Sequence, residues 1–412
     1  MSAPANGSHQ ADLVIVGGGI FGCSIAWHYA RLGVGRVLLL ERDILACAAT
    51  SCAAALLTRA RVKTALMVLI AQTYADIAAL EAELDETLDL HRVGSLHVAA
   101  SALHRRELQD LVGVAERAGL RVDWLTADDA IWRVPWLNLE GDAVTAFMPD
   151  DGFIDPYRLA MAYARAARRC GAELRQGVAV TGFLRQGDWI SGVATTQGPV
   201  HAACVVDAAG AWAGLLAASL GVGLPMAPVR SQYWITAPDP LFPPDHPITI
   251  LPDARAYSRP DLGGLLFGLR ERQSVSIDPR RLPCTSSGFA LGEAGGHSSL
   301  EGGAPALRRF LPALDQLGIA HYIAGLSTYT PDGLPILGAV AGLGGFLAAT
   351  GCSGAGIATA GGVGASIAAL AAERTPPFDL APFRIDRFGP INPFNMEFRR
   401  RCEQARSNKS SG

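Results

Sequence analysis

Lysine is nearly absent: Lys63 and Lys409 are the only two among 35 basic residues, so arginine carries almost all the positive charge. The formal net charge of -3 leaves no basic excess to meet phosphates, which argues against a nucleic-acid partner. Cysteine is sparse, eight in 412 residues, with no C-x-x-C anywhere and Cys47 and Cys52 as the closest pair. With the histidines scattered as well, neither a disulfide framework nor a metal site is expected. The first ten residues lack the basic and apolar regions of a secretory signal. These absences predict a soluble, cytoplasmic, reduced protein. An unbroken apolar run is missing too. The longest uncharged stretch, 333–372, contains eleven glycines, Pro335 and two Gly-Gly pairs, whereas a spanning helix needs about 20 mostly apolar residues. No transmembrane segment is expected.

The chain is 50% hydrophobic with a mean hydropathy of +0.23, enough for a large core, and its length suggests two or three domains. Asp12 to Val16 is a short β-branched run. Helical apolar spacing follows from Ile20 to Leu32, Gly33 is placed to end it, and Arg36 to Leu40 is a second buried-type strand. That is β-α-β in about thirty residues. Further on, the pattern predicts helices over Thr64 to Leu88, His104 to Ala118 and Asp155 to Arg169, with Pro156 in the first turn of the last. Strands are expected at Val93 to Ala99, Cys204 to Ala208 and Phe346 to Thr350, and a final helix over Gly356 to Ala372. Val229 to Ile277 alternates strands and turns, as an antiparallel sheet does. The tail after Arg387 reads as extended and polar, with Arg399 to Arg401 as a solvated run.

Gly17-x-Gly19-x-x-Gly22 follows a strand and opens a helix. The first glycine permits the tight turn, the second lets a pyrophosphate approach the backbone, and the third lets helix and strand pack closely. The helix N-terminus offers free N–H groups to the phosphates. Glu41, nineteen residues after Gly22, suits a ribose hydroxyl. This unit predicts a bound dinucleotide, and by itself it leaves NAD and FAD both open.

The remaining motifs resemble the D-amino-acid oxidase family of flavoproteins, which includes sarcosine oxidases, dimethylglycine dehydrogenases and glycine oxidases. They are Asp150 to Pro156, Val206 to Trp212, Thr330 to Gly338 and Ala349 to Gly356, in the family's order. The resemblance implies an α/β (α+β) fold: a discontinuous Rossmann-like FAD-binding domain with an inserted, mainly antiparallel substrate domain. It assigns 1–90, 145–228 and 325–385 to the first, 91–144 and 229–324 to the second, and 386–412 to a tail. FAD contacts are expected at Gly17, Gly19, Ile20, Phe21, Gly22, Glu41, Arg42, Thr50, Ser51, Val178, Ala209, Gly210 and Trp212. Asp332, Gly351, Ser353, Gly354, Ala355 and Gly356 complete that set. Backbone N–H groups at Gly351 to Gly356 would stabilise the charge of a reduced flavin.

The implied reaction is oxidation of an amine or amino acid, favoured here as a secondary or N-methylated one, by hydride transfer to flavin N5. The alternatives are a D-amino acid or glycine, a 2-hydroxy acid, an NAD-dependent dehydrogenase, or an electron-transferring subunit that works beside a partner. The electron acceptor would be oxygen, a quinone or an electron-transfer protein. Glycine oxidases carry an arginine carboxylate clamp where Ser327 stands. Arg259, with Tyr257 and Ser327, is therefore the expected substrate contact, and Arg59 or Arg61 a substitute. His97 and His321 are read as core or surface residues. Attachment positions for covalent flavin fall on Gly325 and Ala53, so the FAD is expected to be non-covalent. Sarcosine oxidases also place a lysine beside the flavin for the oxygen reaction. With no lysine in Val229 to Ile277 and Lys409 assigned to the tail, slow reaction with oxygen is expected.

Overall fold

The computed structural model describes residues 10–139, 141–284 and 294–409; the expected N-terminal stretch lies outside them but for Gln10. Ala11–Val16 is the hub of an eight-stranded sheet, pairing in parallel with Val37–Leu40 on one side and Gly198–Asp207 on the other. Its alternate residues serve two cores. Leu13 and Ile15 pack against helices, while Val14 and Val16 pack on the opposite layer with Ile190 and Val193. A strand buried on both faces reads as an apolar run rather than an alternation. The main path runs Ile336–Ala339, Phe346–Thr350, Gly198–Asp207, Ala11–Val16, Val37–Leu40, Glu173–Arg175. Because the chain crosses from Ala11–Val16 to neighbours on both sides, a crevice opens beyond the carboxyl ends of the central strands.

Helix Ile20–Leu32 starts at Gly19 and stops at Gly33, whose φ of 63° closes the last turn. Pro156–Arg169 is capped by the Asp155 carboxylate, which accepts from the Arg158 N–H. Ala65–Leu84 ends four residues before the expected Leu88, because Asp85 takes φ 55° and accepts no further helical turn. By length and composition Ala65–Leu84 is the one helix among the described residues apolar enough to cross a membrane; Leu69, Ile70, Ile77 and Leu80 are buried in the main core. The uncharged stretch 333–372 forms two strands and the helix Gly356–Ala371 instead of one span. Its glycines have a packing reason. A Cβ on Gly362 would lie 2.3 Å from Leu69 Cα, and one on Gly364 would lie 2.1 Å from Ser24 Oγ.

The second sheet also has eight strands, ordered Ile319–Tyr329, Ala227–Thr236, Gly264–Leu269, Ala256–Asp261, Ile248–Leu251, Ser95–Ala99, Val144–Met148, Asp123–Leu125. Neighbours are antiparallel except at Ile248–Leu251 and Ser95–Ala99. Side chains alternate strictly. Trp234, Leu265, Phe267 and Leu269 face a core with Phe242 and Leu307. Tyr233, Ile235 and Leu266 face the other way, with Ala54 and Ile323 packed against them. The expected domain boundaries at 145 and 325 both fall inside strands of this sheet.

The extended tail is corrected. Met396–Ser407 is a helix, capped by the Asn395 side chain, and it packs Phe398 and Cys402 against Ala227, Val229 and Tyr329. Arg399 pairs with Asp278 at 3.6 Å and is mostly shielded, so the arginine run is not simply solvated.

Candidate active site

A cavity of about 560 Å³ runs between the carboxyl ends of the first sheet and the face of the second that carries Tyr233, a size suited to a small ligand or cofactor. At one end stands the glycine loop. Gly17 has φ 106°, and a Cβ there would meet Ala208 O at 2.6 Å; a Cβ on Gly22 would meet Gly17 O at 1.9 Å. Gly22 therefore serves packing behind the cavity, while Gly17, Gly19, Ile20 and Phe21 line it. Ile20 N donates to Thr50 Oγ1 at 3.0 Å, which pins the loop that follows the second strand. Glu41 Oε2 accepts from Gly18 N at 2.6 Å and Oε1 from Asp43 N at 2.8 Å. Each oxygen keeps a second acceptor site for a ribose hydroxyl. The Arg42 guanidinium lies 4.2 Å over the Trp212 ring, and both line the cavity with Val178, Ala209 and Gly210.

Under this floor Asp207 is fully buried. One carboxylate oxygen accepts from Ala209 N at 3.2 Å, and Oδ2 has no partner among the described residues. Burial lifts the carboxyl to about 7, only partly offset by the Ala209 N–H.

At the other end the turn before helix Gly356–Ala371 is fixed by Ser353 N donating to Thr328 O at 2.7 Å, and Cys352 N to Thr328 Oγ1 at 3.2 Å. Gly354, Ala355 and Gly356 line the cavity. Above them Tyr257 lies across Gly268, where a Cβ would stand 2.4 Å from the Tyr257 hydroxyl. Burial raises the Tyr257 phenol, which keeps it a donor. Ser327 lines the cavity and faces Cys352 Sγ at 3.3 Å.

Several expected contacts lie elsewhere. Arg259 does not line the cavity: Nε donates to Ala54 O at 2.8 Å, Nη1 donates to Pro260 O at 2.9 Å and pairs with Asp261 at 3.3 Å, and the fork stacks over Phe153. With Nε and Nη1 engaged and the side chain off the lining, it is no carboxylate clamp. Asp332 is a clasp: it accepts from Arg387 at 2.8 and 3.0 Å and from Leu334 N at 3.0 Å, tying the Thr330 to Gly333 turn. Burial alone would raise its carboxyl, but those donors hold it below the usual range. Ser51 and Gly351 also lie off the lining, and Ser353 turns to a second cavity of about 600 Å³.

That second cavity is lined by Arg61, Lys63 and His97, while Arg59 stacks over Tyr74 and His321 is exposed. Burial, then the Arg61 charge, lowers the His97 imidazole to about 4, so it is neutral. The reading of Lys409 as a tail residue is overturned. Its Nζ donates to the carbonyls of Ser353 and Gly354 at 3.3 Å each, and it lines both cavities. Sequence reasoning also missed Arg270 and Arg406, both buried and both on the lining. Arg270 follows Gly268 at strand spacing, a signal that was present.

The DAO family model, described as FAD dependent oxidoreductase, matches residues 12–370. The chain is 33% identical over 383 residues to 4-methylaminobutanoate oxidase (formaldehyde-forming) of Paenarthrobacter nicotinovorans, covering 91% of this chain and 45% of that protein. It is 31% identical over 398 residues to mitochondrial dimethylglycine dehydrogenase of Homo sapiens, covering 94% and 46%. The chain thus spans less than half the length of these curated relatives. Among solved structures, glycine oxidase from Geobacillus kaustophilus superposes with a TM-score of 0.78 at 28% identity, over 93% of this chain and 100% of that one.

Proposed function

The chain belongs to the DAO family of FAD-dependent oxidoreductases, and from that premise we propose that it oxidises an N-methylated amino acid. The residues present fit FAD. A Cβ at Gly19, which lines the cavity, would meet only Thr50 Oγ1 at 3.3 Å and so would take up space the loop leaves open, the Glu41 oxygens retain acceptor capacity, and the apolar floor is backed by strand ends. Gly17 to Phe21 would hold the pyrophosphate, Glu41, Arg42 and Val178 the adenosine, and Gly354 to Gly356 the flavin end. When bound, FAD supplies the acceptor for the hydride that a carbon next to the amine nitrogen gives up, leaving an imine that water hydrolyses to amine and aldehyde.

The observation that carries this reading is one continuous cavity, running from the glycine loop to a sheet face that is apolar at Tyr233 and polar at Tyr257 and Ser327. Such a face orients a methylated amine while leaving donors for a polar group. The two curated relatives bear the names of N-methylated substrates, which supports the same class. The FAD is held without a covalent bond in this reading. Cys52 lines the cavity beside Gly325, but burial raises its thiol and suppresses the thiolate that attack requires.

The test is an anaerobic screen of sarcosine, dimethylglycine, 4-methylaminobutanoate, D-amino acids, glycine and 2-hydroxy acids, following loss of flavin absorbance. Bleaching by the N-methylated compounds with formaldehyde as product is expected. Bleaching confined to D-amino acids or hydroxy acids overturns the substrate assignment. Acid precipitation should leave a colourless pellet; a yellow one refutes non-covalent binding.

A further inference from the structure

We propose that Arg406, with Arg270 beside it, is the point at which the cleft recognises the substrate's carboxylate, so that specificity for an acid comes from a C-terminal helix beyond the residues the family model matches. The inference rests on the amino-acid reading above. The match ends at residue 370, and the helix Met396–Ser407 returns across the strands Ala227–Thr236 and Ile319–Tyr329.

Arg406 is 4% exposed, lines the cleft, and donates from Nε to Ser231 Oγ at 3.3 Å. Its Nη1 is buried and has no partner among the described residues. The position is held from several directions. Ser407 Oγ accepts from Ser274 N at 3.1 Å and lies 3.0 Å from Ser274 Oγ, and Glu403 Oε1 accepts from Ser276 N at 2.9 Å. Cys402 and Phe398 fill the interface one and two turns earlier. A long side chain fixed this firmly is preorganised to bind, at little further cost in entropy.

The charge balance says what it binds. A buried guanidinium without a counter-charge is costly, and the only carboxylates lining the cleft among the described residues are Glu41 and Asp43, at the glycine-loop end. Arg270 adds a second cation on the same lining, with its guanidinium carbon 5.6 Å from the centre of the Tyr257 ring. Burial lowers Arg270 to about 10, which leaves it charged at neutral pH. Arg255 ties the pair together, its carbonyl accepting from Arg270 N at 2.9 Å and its Nη1 donating to Ser407 O at 3.4 Å. An arginine fork matches the two oxygens of a carboxylate. The arrangement supplies that group at a site where Ser327 cannot and Arg259 is turned away.

The probe is 3-methylbutanoate, which has the shape of dimethylglycine with carbon in place of nitrogen and cannot be oxidised as an amine. Its binding to the FAD-loaded protein is measured by calorimetry and by perturbation of the flavin spectrum, with 3-methylbutanamide as the neutral control. Wild type should bind the acid well above the amide. Arg406→Gln should weaken the acid by roughly a hundredfold, as loss of one partner from a buried charge pair does, and Arg406→Lys should restore part of it. Arg406→Met, of similar length, gives the same comparison if the glutamine variant does not fold. Equal binding of acid and amide by wild type, or acid affinity indifferent to residue 406, overturns the proposal. If residue 406 controls acid binding while no N-methylated amine bleaches the flavin, the clamp stands and the amine reading falls. If the amine is oxidised and residue 406 is indifferent, the reverse holds.

Discussion

Gly19 and Gly22 belong to one motif but do different work, and single substitutions separate them. A Cβ on Gly22 meets a backbone oxygen at 1.9 Å, whereas one on Gly19 meets only Thr50 Oγ1 at 3.3 Å. Gly22→Ala must move the helix off the strand, and overpacking of this kind costs about 1–3 kcal/mol. The variant should melt several degrees lower and purify with little flavin. Gly19→Ala should keep the wild-type melting temperature and lose FAD affinity, read by titrating apoprotein with FAD. Equal melting losses in both would place Gly19 in packing as well. Asp207 offers a second test at this scale. Its folded carboxyl stands at about 7 against 3.8, so the native state binds the extra proton and the unfolded chain does not. Stability therefore falls as pH rises from about 4 to about 7, by about 4 kcal/mol on the linkage relation. Asp207→Asn removes that loss. The melting temperature of the variant relative to wild type should climb across that window; a flat difference would show the carboxyl is not protonated in the fold.

Among the elements, those whose sequence period matches their surroundings were legible. Ala11–Val16, Ile20–Leu32, Pro156–Arg169 and Phe346–Thr350 follow from a buried run, two helical stripes with caps, and a second buried run. The C-terminal helix was not, because its composition is mostly polar and only one narrow stripe is buried. The signal was nonetheless there: Asn395 is a capping residue, and Phe398, Cys402 and Arg406 recur every fourth position. Arginine at a buried position defeats a hydrophobicity pattern, and here it is the residue with the most to do. Contacts between the second sheet and the loop before Leu56–Leu57, such as the turning of Arg259 onto Ala54, depend on which face a strand presents and were invisible in the linear motif. The helix can be tested as a unit. Phe398→Ala should cost about 3 kcal/mol, seen in urea unfolding, and should weaken 3-methylbutanoate binding although Phe398 is absent from the cleft lining. Stability loss without any change in acid binding would mean the helix does not carry Arg406 into place.

Over the whole molecule, two sheets enclose the cleft, and a second cavity adjoins it where Tyr329, Ala355 and Lys409 line both. The expectation of slow oxygen reaction left Lys409 in the tail; with the FAD placed as proposed above, this seam brings that lysine to the flavin end. Lys409 Nζ is fixed by the carbonyls of Ser353 and Gly354, in the turn that precedes the helix Gly356–Ala371. A fixed cation in a water-poor site stabilises an anion as it develops, and removing one such group costs roughly a hundredfold in rate. Reoxidation of the substrate-reduced protein by air-saturated buffer should slow by that order in Lys409→Met, while the preceding reduction changes far less. The pH dependence follows from the environment. Burial, then Arg61 and Arg270, push the ammonium well below its ordinary value, so its charge is present at low pH and lost as pH rises. Wild-type reoxidation should therefore slow toward alkaline pH, and the Lys409→Met profile should be flat. Stopped-flow traces give both rates from one preparation. Identical reoxidation in wild type and Lys409→Met at every pH would leave the lysine as a tie between helix and turn, and the acceptor would have to be sought away from this seam.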